Sequence, residues 1–95
     1  MKMNSGNTYT IKFSKQAKKD KLKLKDCNLE KTCKNILVLM SENPFCYPPS
    51  YEKLCGDLSG LYSRRINRQH RIVYEVLEEK KEIHIIRMWT HYDNL

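Results

Sequence analysis

The first forty residues show one strand pattern followed by two helical patterns. Tyr9-Thr10-Ile11-Lys12-Phe13 alternates apolar and polar side chains, which predicts a β-strand. Ser14 follows in a position suited to an N-cap, so we expect a helix from Lys15 to about Asp26. This helix is rich in lysine and carries only a thin apolar stripe: Ala17, Leu24 and Cys27, with Leu22 nearby.

A second helix is predicted after a short break at Asp26–Asn28. We expect Asn28 to cap its N-terminus. The helix should end near Glu42, because Pro44 disfavours helical geometry in the residue before it. The short break indicates an antiparallel helical hairpin. The apolar positions of this second helix recur at helical spacing: Leu29, Cys33, Ile36, Leu37 and Met40.

The second half of the chain has the period of β-strands. Asn43–Ser50 contains three prolines and is expected to form a stiff loop. Tyr51–Gly56 is expected to make a turn of helix or to stay irregular. Alternating side chains then predict three strands: Leu61–Asn67, His70–Leu77 and Glu82–Thr90.

The predicted element order is therefore β-α-α-β-β-β. An α+β fold buries these stripes most simply if an antiparallel sheet carries the helical hairpin on one face. Ninety-five residues suit one domain. We expect this domain to span residues 1–95, with flexible ends at residues 1–8 and 93–95.

Charge is distributed unevenly along the chain. The net charge is +7, and residues 1–35 hold ten lysines against three acids, whereas residues 36–95 hold eight cations and eight acids. This lysine-rich first part favours a polyanionic partner. The longest apolar run, Ile36–Met40, is far too short to span a membrane, and residues 1–7 lack the apolar segment of a signal peptide. The expected location is the cytoplasm.

Four cysteines raise the question of a metal site or a disulfide framework: Cys27, Cys33, Cys46 and Cys55. No pair has CxxC spacing, and no histidine lies at zinc-finger spacing. Disulfide bonds are not expected in a cytoplasmic protein. We therefore interpret all four as small buried or half-buried thiols, and we expect neither a metal ion nor a cofactor.

The segment Tyr62–Tyr74 carries the candidate chemistry, since four arginines and a histidine fall within eight residues without an acid. A guanidinium grips phosphate through two parallel hydrogen bonds, so this cluster predicts a platform for nucleic acid. Arg65 and Arg71 flank a hairpin turn and are expected to meet across it. Arg64 and Arg65 are neighbours that point to opposite faces of a strand. One of them is therefore expected to be structural or to bind elsewhere.

Glu52 and His91 complete a set of side chains suited to phosphodiester transfer. A carboxylate takes the proton of a ribose 2′-hydroxyl, arginine stabilises the charge on the phosphorane, and an acid protonates the departing 5′-oxygen. Taken singly, each residue has a plainer interpretation: Glu52 as an exposed loop acid and His91 as part of a tail.

Six segments resemble the Txe/YoeB family of bacterial toxins, in order and at matching spacing: Pro44-Phe45, Tyr51-Glu52-Lys53-Leu54, Asp57-Leu58-Ser59-Gly60, Tyr62-Ser63-Arg64-Arg65-Ile66-Asn67, Gln69-His70-Arg71-Ile72-Val73-Tyr74 and Arg87-Met88-Trp89-Thr90-His91-Tyr92. The resemblance implies a RelE-like fold and a metal-free, ribosome-dependent endoribonuclease that cuts messenger RNA in the ribosomal A site. It also implies neutralisation by a YefM/Axe-type antitoxin in a hetero-oligomer. A homodimer is the other assembly to expect.

The same resemblance implies roles for individual residues. The general base falls on Glu52, the phosphate-stabilising arginine on Arg71 and the general acid on His91. Tyr92 matches the family's C-terminal aromatic residue, and Arg65 matches a second basic residue of the site. Charge alone assigns the remaining RNA contacts, which are Arg64 and four lysines of the first helix: Lys15, Lys18, Lys19 and Lys21.

The chain departs from the family pattern at two places. Some members carry a lysine at the position of Cys55, and some end at the residue that matches Tyr92, whereas Asp93-Asn94-Leu95 follow here. Two rival functions stay open: a non-catalytic ParE-like toxin that inhibits a protein target such as gyrase, and a general RNA-binding module. The nuclease is favoured because a non-catalytic inhibitor has no reason to carry the full set of Glu52, Arg71 and His91.

Overall fold

The computed structural model describes residues 8–26, 28–46, 50–68 and 70–88. Within these ranges the chain forms β1 (Thr10–Phe13), α1 (Lys15–Asp26), α2 (Glu30–Glu42), β2 (Tyr51–Lys53), β3 (Tyr62–Arg65), β4 (Arg71–Leu77) and β5 (Glu82–Arg87), with a short 3₁₀ turn at Gly56–Leu58. Both helices pack against a mixed sheet, which confirms the α+β fold class. Flexible ends were predicted at residues 1–8 and 93–95, and all of these residues except Thr8 lie outside the described residues.

The sheet differs from the prediction in two respects. Its strand order is β1-β5-β4-β3-β2, and β1 runs parallel to β5 while the other neighbours are antiparallel. The sheet is therefore mixed, because the long connection between β1 and β5 lets the two strands run in the same direction. The second difference is β2, which occupies Tyr51–Lys53, where a helical turn or irregular chain was predicted. Its three residues are extended because they pair with β3.

Local signals at the helix ends account for the boundaries of α1 and α2. The Ser14 hydroxyl accepts a hydrogen bond from the backbone N–H of Ala17 at 3.0 Å, which confirms the predicted cap of α1. Asn28 does not cap α2, and that prediction was wrong. It adopts φ 60° and closes the end of α1, where its N–H bonds to Lys25 and the N–H of Leu29 bonds to Leu24.

The core lies between the helices and the inner face of the sheet. Its members come from α1, α2 and the two central strands, and they include Ala17, Leu24, Cys33, Ile36, Met40, Ile72, Tyr74, Ile83 and Ile85. Burial raises the pKa of the Cys33 thiol to about 11, so it behaves as an inert apolar side chain. Cys46 is half-buried as expected, whereas Cys55 is exposed, against the prediction. Cys27 lies outside the described residues.

Two features are absent from the described residues: a helix that could span a membrane and a cluster of side chains that could hold a metal ion. No helix within them combines the length and the apolar character needed to cross a membrane. Nor do three side chains of His, Cys, Asp or Glu among them converge in a way that would hold a metal ion.

Candidate functional site

Strand register gathers the candidate side chains on the outer face of the sheet, away from the helices. Glu52 on β2 lies opposite Ser63 on β3, and Arg65 on β3 lies opposite Arg71 on β4. Directly opposite residues share one face of a sheet, and residues two apart on a strand share it as well. The predicted meeting of Arg65 and Arg71 across the hairpin is thus confirmed.

Glu52 and Arg71 form an ion pair at this face. Arg71 Nη1 donates a hydrogen bond to Glu52 Oε1 at 3.1 Å and a second to Ser63 Oγ at 3.3 Å. The Arg71 side chain is 10% exposed and that of Glu52 is 53% exposed. The cation is therefore held by its surroundings, whereas the carboxylate remains within reach of a ligand.

A surface pocket of about 160 Å³ opens at this ion pair, and its lining consists of Ser50, Tyr51, Glu52, Ser63, Arg65 and Arg71. Two guanidinium groups face it with only one carboxylate between them. Arg65 is exposed and has no ion pair with any carboxylate of the described residues. Like charges on directly opposite positions of a sheet repel each other, and a bound anion relieves that repulsion. The pocket therefore suits a phosphate group.

Arg64 lies on the other face of β3 and is fully buried. Its Nη2 donates to the carbonyl oxygens of Pro44 and Cys46, both at 2.9 Å, and its guanidinium carbon lies 5.0 Å from the centre of the Tyr51 ring. A guanidinium sealed in this way does not reach a polynucleotide. The assignment of Arg64 as an RNA contact is therefore wrong, and Arg64 is the structural member of the Arg64–Arg65 pair.

Arg64 belongs to a packed cluster that fixes β2, and hence Glu52. Rings of Phe45, Tyr51, Tyr62 and Tyr74 contact one another with centres 5.1–6.0 Å apart. Burial raises the pKa of Tyr74 to about 12, so its hydroxyl stays protonated and donates to the Pro44 carbonyl at 3.0 Å. Hydrogen bonds from Arg64 and Tyr74 thus anchor the loop before β2 to the inner face of the sheet.

The segment that carries His91 and Tyr92 lies outside the described residues, so their roles stay predictions. The strand that leads to it ends at Arg87, and Asp20 of α1 holds that end. Asp20 Oδ2 accepts hydrogen bonds from Arg87 Nε at 2.8 Å and from the backbone N–H of Met88 at 3.1 Å. His91 follows Met88 by three positions in the sequence.

Asp20 is fully buried, although it stands among lysines in the sequence of α1. Burial alone raises the pKa of Asp20, but hydrogen bonds from Arg87, Met88 and Gln16 outweigh it and lower the pKa below its usual value. The signal was present in the spacing, since Ala17, Asp20 and Leu24 fall on one helical face. Ser63 was missed too, and its signal was its position two residues before Arg65.

The four lysines assigned to RNA contacts are exposed on α1: Lys15, Lys18, Lys19 and Lys21. Helix α1 packs on the sheet face opposite the Glu52–Arg71 pocket. These lysines therefore do not line the pocket, and their part in RNA binding stays a prediction.

Comparison with known proteins agrees with this arrangement. The family model described as a YoeB-like toxin of bacterial type II toxin–antitoxin systems matches residues 13–92. A relative named Toxin YoeB from Synechocystis is 36% identical over 73 residues, which make up 77% of this chain and 76% of that protein. Another Toxin YoeB, from Streptomyces coelicolor, is 33% identical over 67 residues, covering 70% of this chain and 77% of the relative.

Solved structures resemble the whole fold. A YoeB/ParE toxin from Agrobacterium tumefaciens matches with a TM-score of 0.80 and 25% identity, covering 87% of this chain and 99% of that one. The toxin in a heterotetrameric YoeB–YefM complex from Staphylococcus aureus matches with a TM-score of 0.75 and 34% identity over 88% and 98%. A YoeB dimer from the same organism gives 0.76 and 34% over 90% and 99%.

Proposed function

Because the chain belongs to the YoeB-like toxin family of bacterial type II toxin–antitoxin systems, we propose that it is a ribosome-dependent endoribonuclease that cuts messenger RNA in the A site. The observation that supports this most directly is the pairing of Glu52 with Arg71 beside Arg65, in a pocket of about 160 Å³. The half-exposed carboxylate of Glu52 provides a base. The guanidinium groups of Arg65 and Arg71 beside it provide hydrogen-bond donors for the oxygens of one phosphate.

In the proposed reaction Glu52 accepts the proton of the ribose 2′-hydroxyl, and the 2′-oxygen attacks the adjacent phosphorus. The O2′–P bond forms and the P–O5′ bond breaks, which leaves a 2′,3′-cyclic phosphate and a free 5′-hydroxyl. Arg71 and Arg65 donate to the non-bridging oxygens, where negative charge grows in the transition state. His91 donates the proton to the departing 5′-oxygen, with Tyr92 beside it in sequence. These steps use side chains alone.

The size of the pocket supports the proposed ribosome dependence. The pocket formed by the described residues has a volume of about 160 Å³, which suits one phosphate group rather than several nucleotides of a flexible RNA strand. The ribosome supplies that alignment by holding the codon, which reduces the entropy that the toxin alone would have to overcome. The exposed lysines of α1 fit the same proposal as contacts to ribosomal RNA. The proposed action on ribosomes implies a cytoplasmic location.

The proposed partner for neutralisation is a YefM/Axe-type antitoxin. The Staphylococcus aureus relative is seen both with YefM and as a dimer. For this chain we propose the same choice between a toxin–antitoxin hetero-oligomer and a homodimer, formed by the single domain of residues 1–95. A gene for a small protein with an acidic C-terminal tail, adjacent to the toxin gene, would support it.

Single-turnover cleavage on programmed ribosomes tests the proposal. Wild-type protein should cut an A-site codon and leave a 2′,3′-cyclic phosphate, and a 2′-deoxy substitution at the scissile nucleotide should block the cut. Glu52→Gln keeps the shape of the side chain and removes the base, so the rate should fall roughly 10²-fold or more. Glu79→Gln, an exposed acid in the turn after β4, is the matched control and should retain the wild-type rate.

The alternative class gives a different result in the same preparation. A ParE-like inhibitor would leave the messenger RNA intact on ribosomes and would block DNA supercoiling by purified gyrase. Intact mRNA in the wild-type reaction, or a Glu52→Gln variant that cuts at the wild-type rate, would overturn the proposed mechanism.

A further inference from the structure

Ser63 is a buried polar residue at the centre of the pocket whose hydroxyl faces a charged group. It lies on β3 between Glu52 on β2 and Val73 on β4, and its exposed fraction is 0%. Its Oγ accepts the hydrogen bond from Arg71 Nη1 at 3.3 Å. Strands on both sides hold the Ser63 backbone, which keeps its hydroxyl close to the guanidinium.

Glu52 is a poor permanent anchor for Arg71. Its side chain is 53% exposed, and the same carboxylate must turn to the 2′-hydroxyl when it acts as base. At that moment the ion pair between Arg71 and Glu52 is broken, and the guanidinium must keep its place while it donates to the phosphate. A second hydrogen-bond acceptor on a β-strand would keep the guanidinium in position during this step.

We propose that Ser63 is a positioning residue that holds the Arg71 guanidinium in place when Glu52 releases it. The proposal rests on the proposed nuclease function and deepens it. A neutral hydroxyl suits the task better than a carboxylate, because it accepts a hydrogen bond without cancelling the charge that the phosphate needs.

The test is a double-mutant cycle between Ser63 and Arg71, measured as the single-turnover cleavage rate on programmed ribosomes at saturating toxin. Ser63→Ala should slow cleavage about tenfold, as expected for loss of one hydrogen bond to a charged group. Ribosome affinity should not change, because the hydroxyl is buried. In the Arg71→Ala background the same Ser63→Ala change should have almost no effect, since there is no guanidinium left to position.

Two further variants keep the result interpretable. Ser41→Ala removes a hydroxyl that bonds to the Val38 carbonyl on α2, far from the pocket, and should cut at the wild-type rate. Ser63→Cys preserves size but offers a weak acceptor, so it should reproduce the loss of rate if the alanine variant does not fold.

The outcomes separate the two proposals. If wild-type protein cuts and Ser63→Ala or Ser63→Cys cuts equally fast, the positioning role is wrong and the nuclease function stands. A loss of the same size with and without Arg71 would assign Ser63 to general folding and would also overturn the inference. If the wild-type protein itself does not cut, both proposals fall together.

Discussion

Arg64 and Arg65 are neighbours on one strand, yet the two faces of the sheet give them opposite surroundings. Arg64 is buried among aromatic rings and donates to two backbone carbonyls, so its charge is used inside the protein. Arg65 is exposed beside Arg71, over a pocket that holds one carboxylate. Arg64 therefore supports the site from the inner face of the sheet, whereas Arg65 lines the pocket on the outer face. Residue type and spacing predict an arginine cluster, but only the sheet decides which arginine meets the ligand.

The largest expected effect comes from Arg64→Ala on the inner face. The substitution leaves two carbonyls without their donor and opens a cavity under Tyr51, so unfolding free energy should fall by about 3–5 kcal/mol. Arg65→Ala on the outer face should change it by less than about 0.5 kcal/mol. Urea unfolding of both variants measures the contrast. Equal free energies of unfolding for the two variants would contradict the structural role of Arg64.

Arg71→Lys should give the next largest effect, on cleavage rather than folding. Lysine keeps the charge but lacks the planar fork that binds a phosphate through two parallel hydrogen bonds. The cleavage rate on programmed ribosomes should therefore drop roughly 10²-fold. Arg71→Ala is the reference for complete loss of the group. Full recovery of the rate with lysine would mean that charge alone matters at this position.

Sequence reasoning located the elements whose signals are local. Ser14 marks the start of α1, Pro44 marks the end of α2, and alternation marks β4, because each signal acts within a few residues. Asn28 was predicted at the correct break between the helices, but it was assigned to the N-terminus of α2. It closes the C-terminus of α1 instead, because asparagine is suited to both positions. Helix boundaries were thus predictable, while the assignment of each cap was not.

Features that depend on distant pairing were not predictable. β2 has only three residues, too few for a period, and is a strand because β3 lies beside it. The parallel pairing of β1 and β5 joins residues about seventy positions apart, which no local pattern encodes. For the site, the resemblance singled out Glu52 and Arg71, but the hydroxyl of Ser63 between them required the register. Buried polar groups such as Asp20 are found only when their partners are known.

Asp20→Asn tests the contact that holds the end of β5, with a smaller effect that depends on pH. The pKa of Asp20 is lowered in the folded protein, so its contribution to stability is present above the usual value of 3.8 and is lost as pH falls through the lower folded value. At pH 7 the asparagine variant should be about 2 kcal/mol less stable. Below pH 3.8 the difference should narrow. Urea unfolding of both proteins across this pH range measures the difference in their free energies of unfolding. A difference that stays constant at all pH values would contradict the lowered pKa of Asp20.

The weakest effect on chemistry is expected for the lysines of α1, which lie on the inner-face side of the sheet. Because Asp20 is buried against Arg87, it does little to offset these lysines, and their mutual repulsion favours a polyanion. Reversing Lys15, Lys18 and Lys19 to Glu should weaken ribosome association at least about tenfold and flatten its salt dependence. The cleavage step at saturating toxin should stay near the wild-type rate. Glutamates in the first turn also suit the helix dipole, so α1 should persist.

A charge-matched control decides whether position or net charge is responsible. Reversing Lys31, Lys34 and Lys80, which are exposed on α2 and in the turn after β4, changes the net charge by the same amount. If α1 is the docking surface, this control should retain most of the affinity while the α1 variant loses it. Equal losses would mean that the ribosome responds to overall charge, and unchanged affinity in the α1 variant would make that helix an ordinary solvated surface. Only the second result, unchanged affinity, would confine recognition to the outer face that carries Glu52, Arg65 and Arg71.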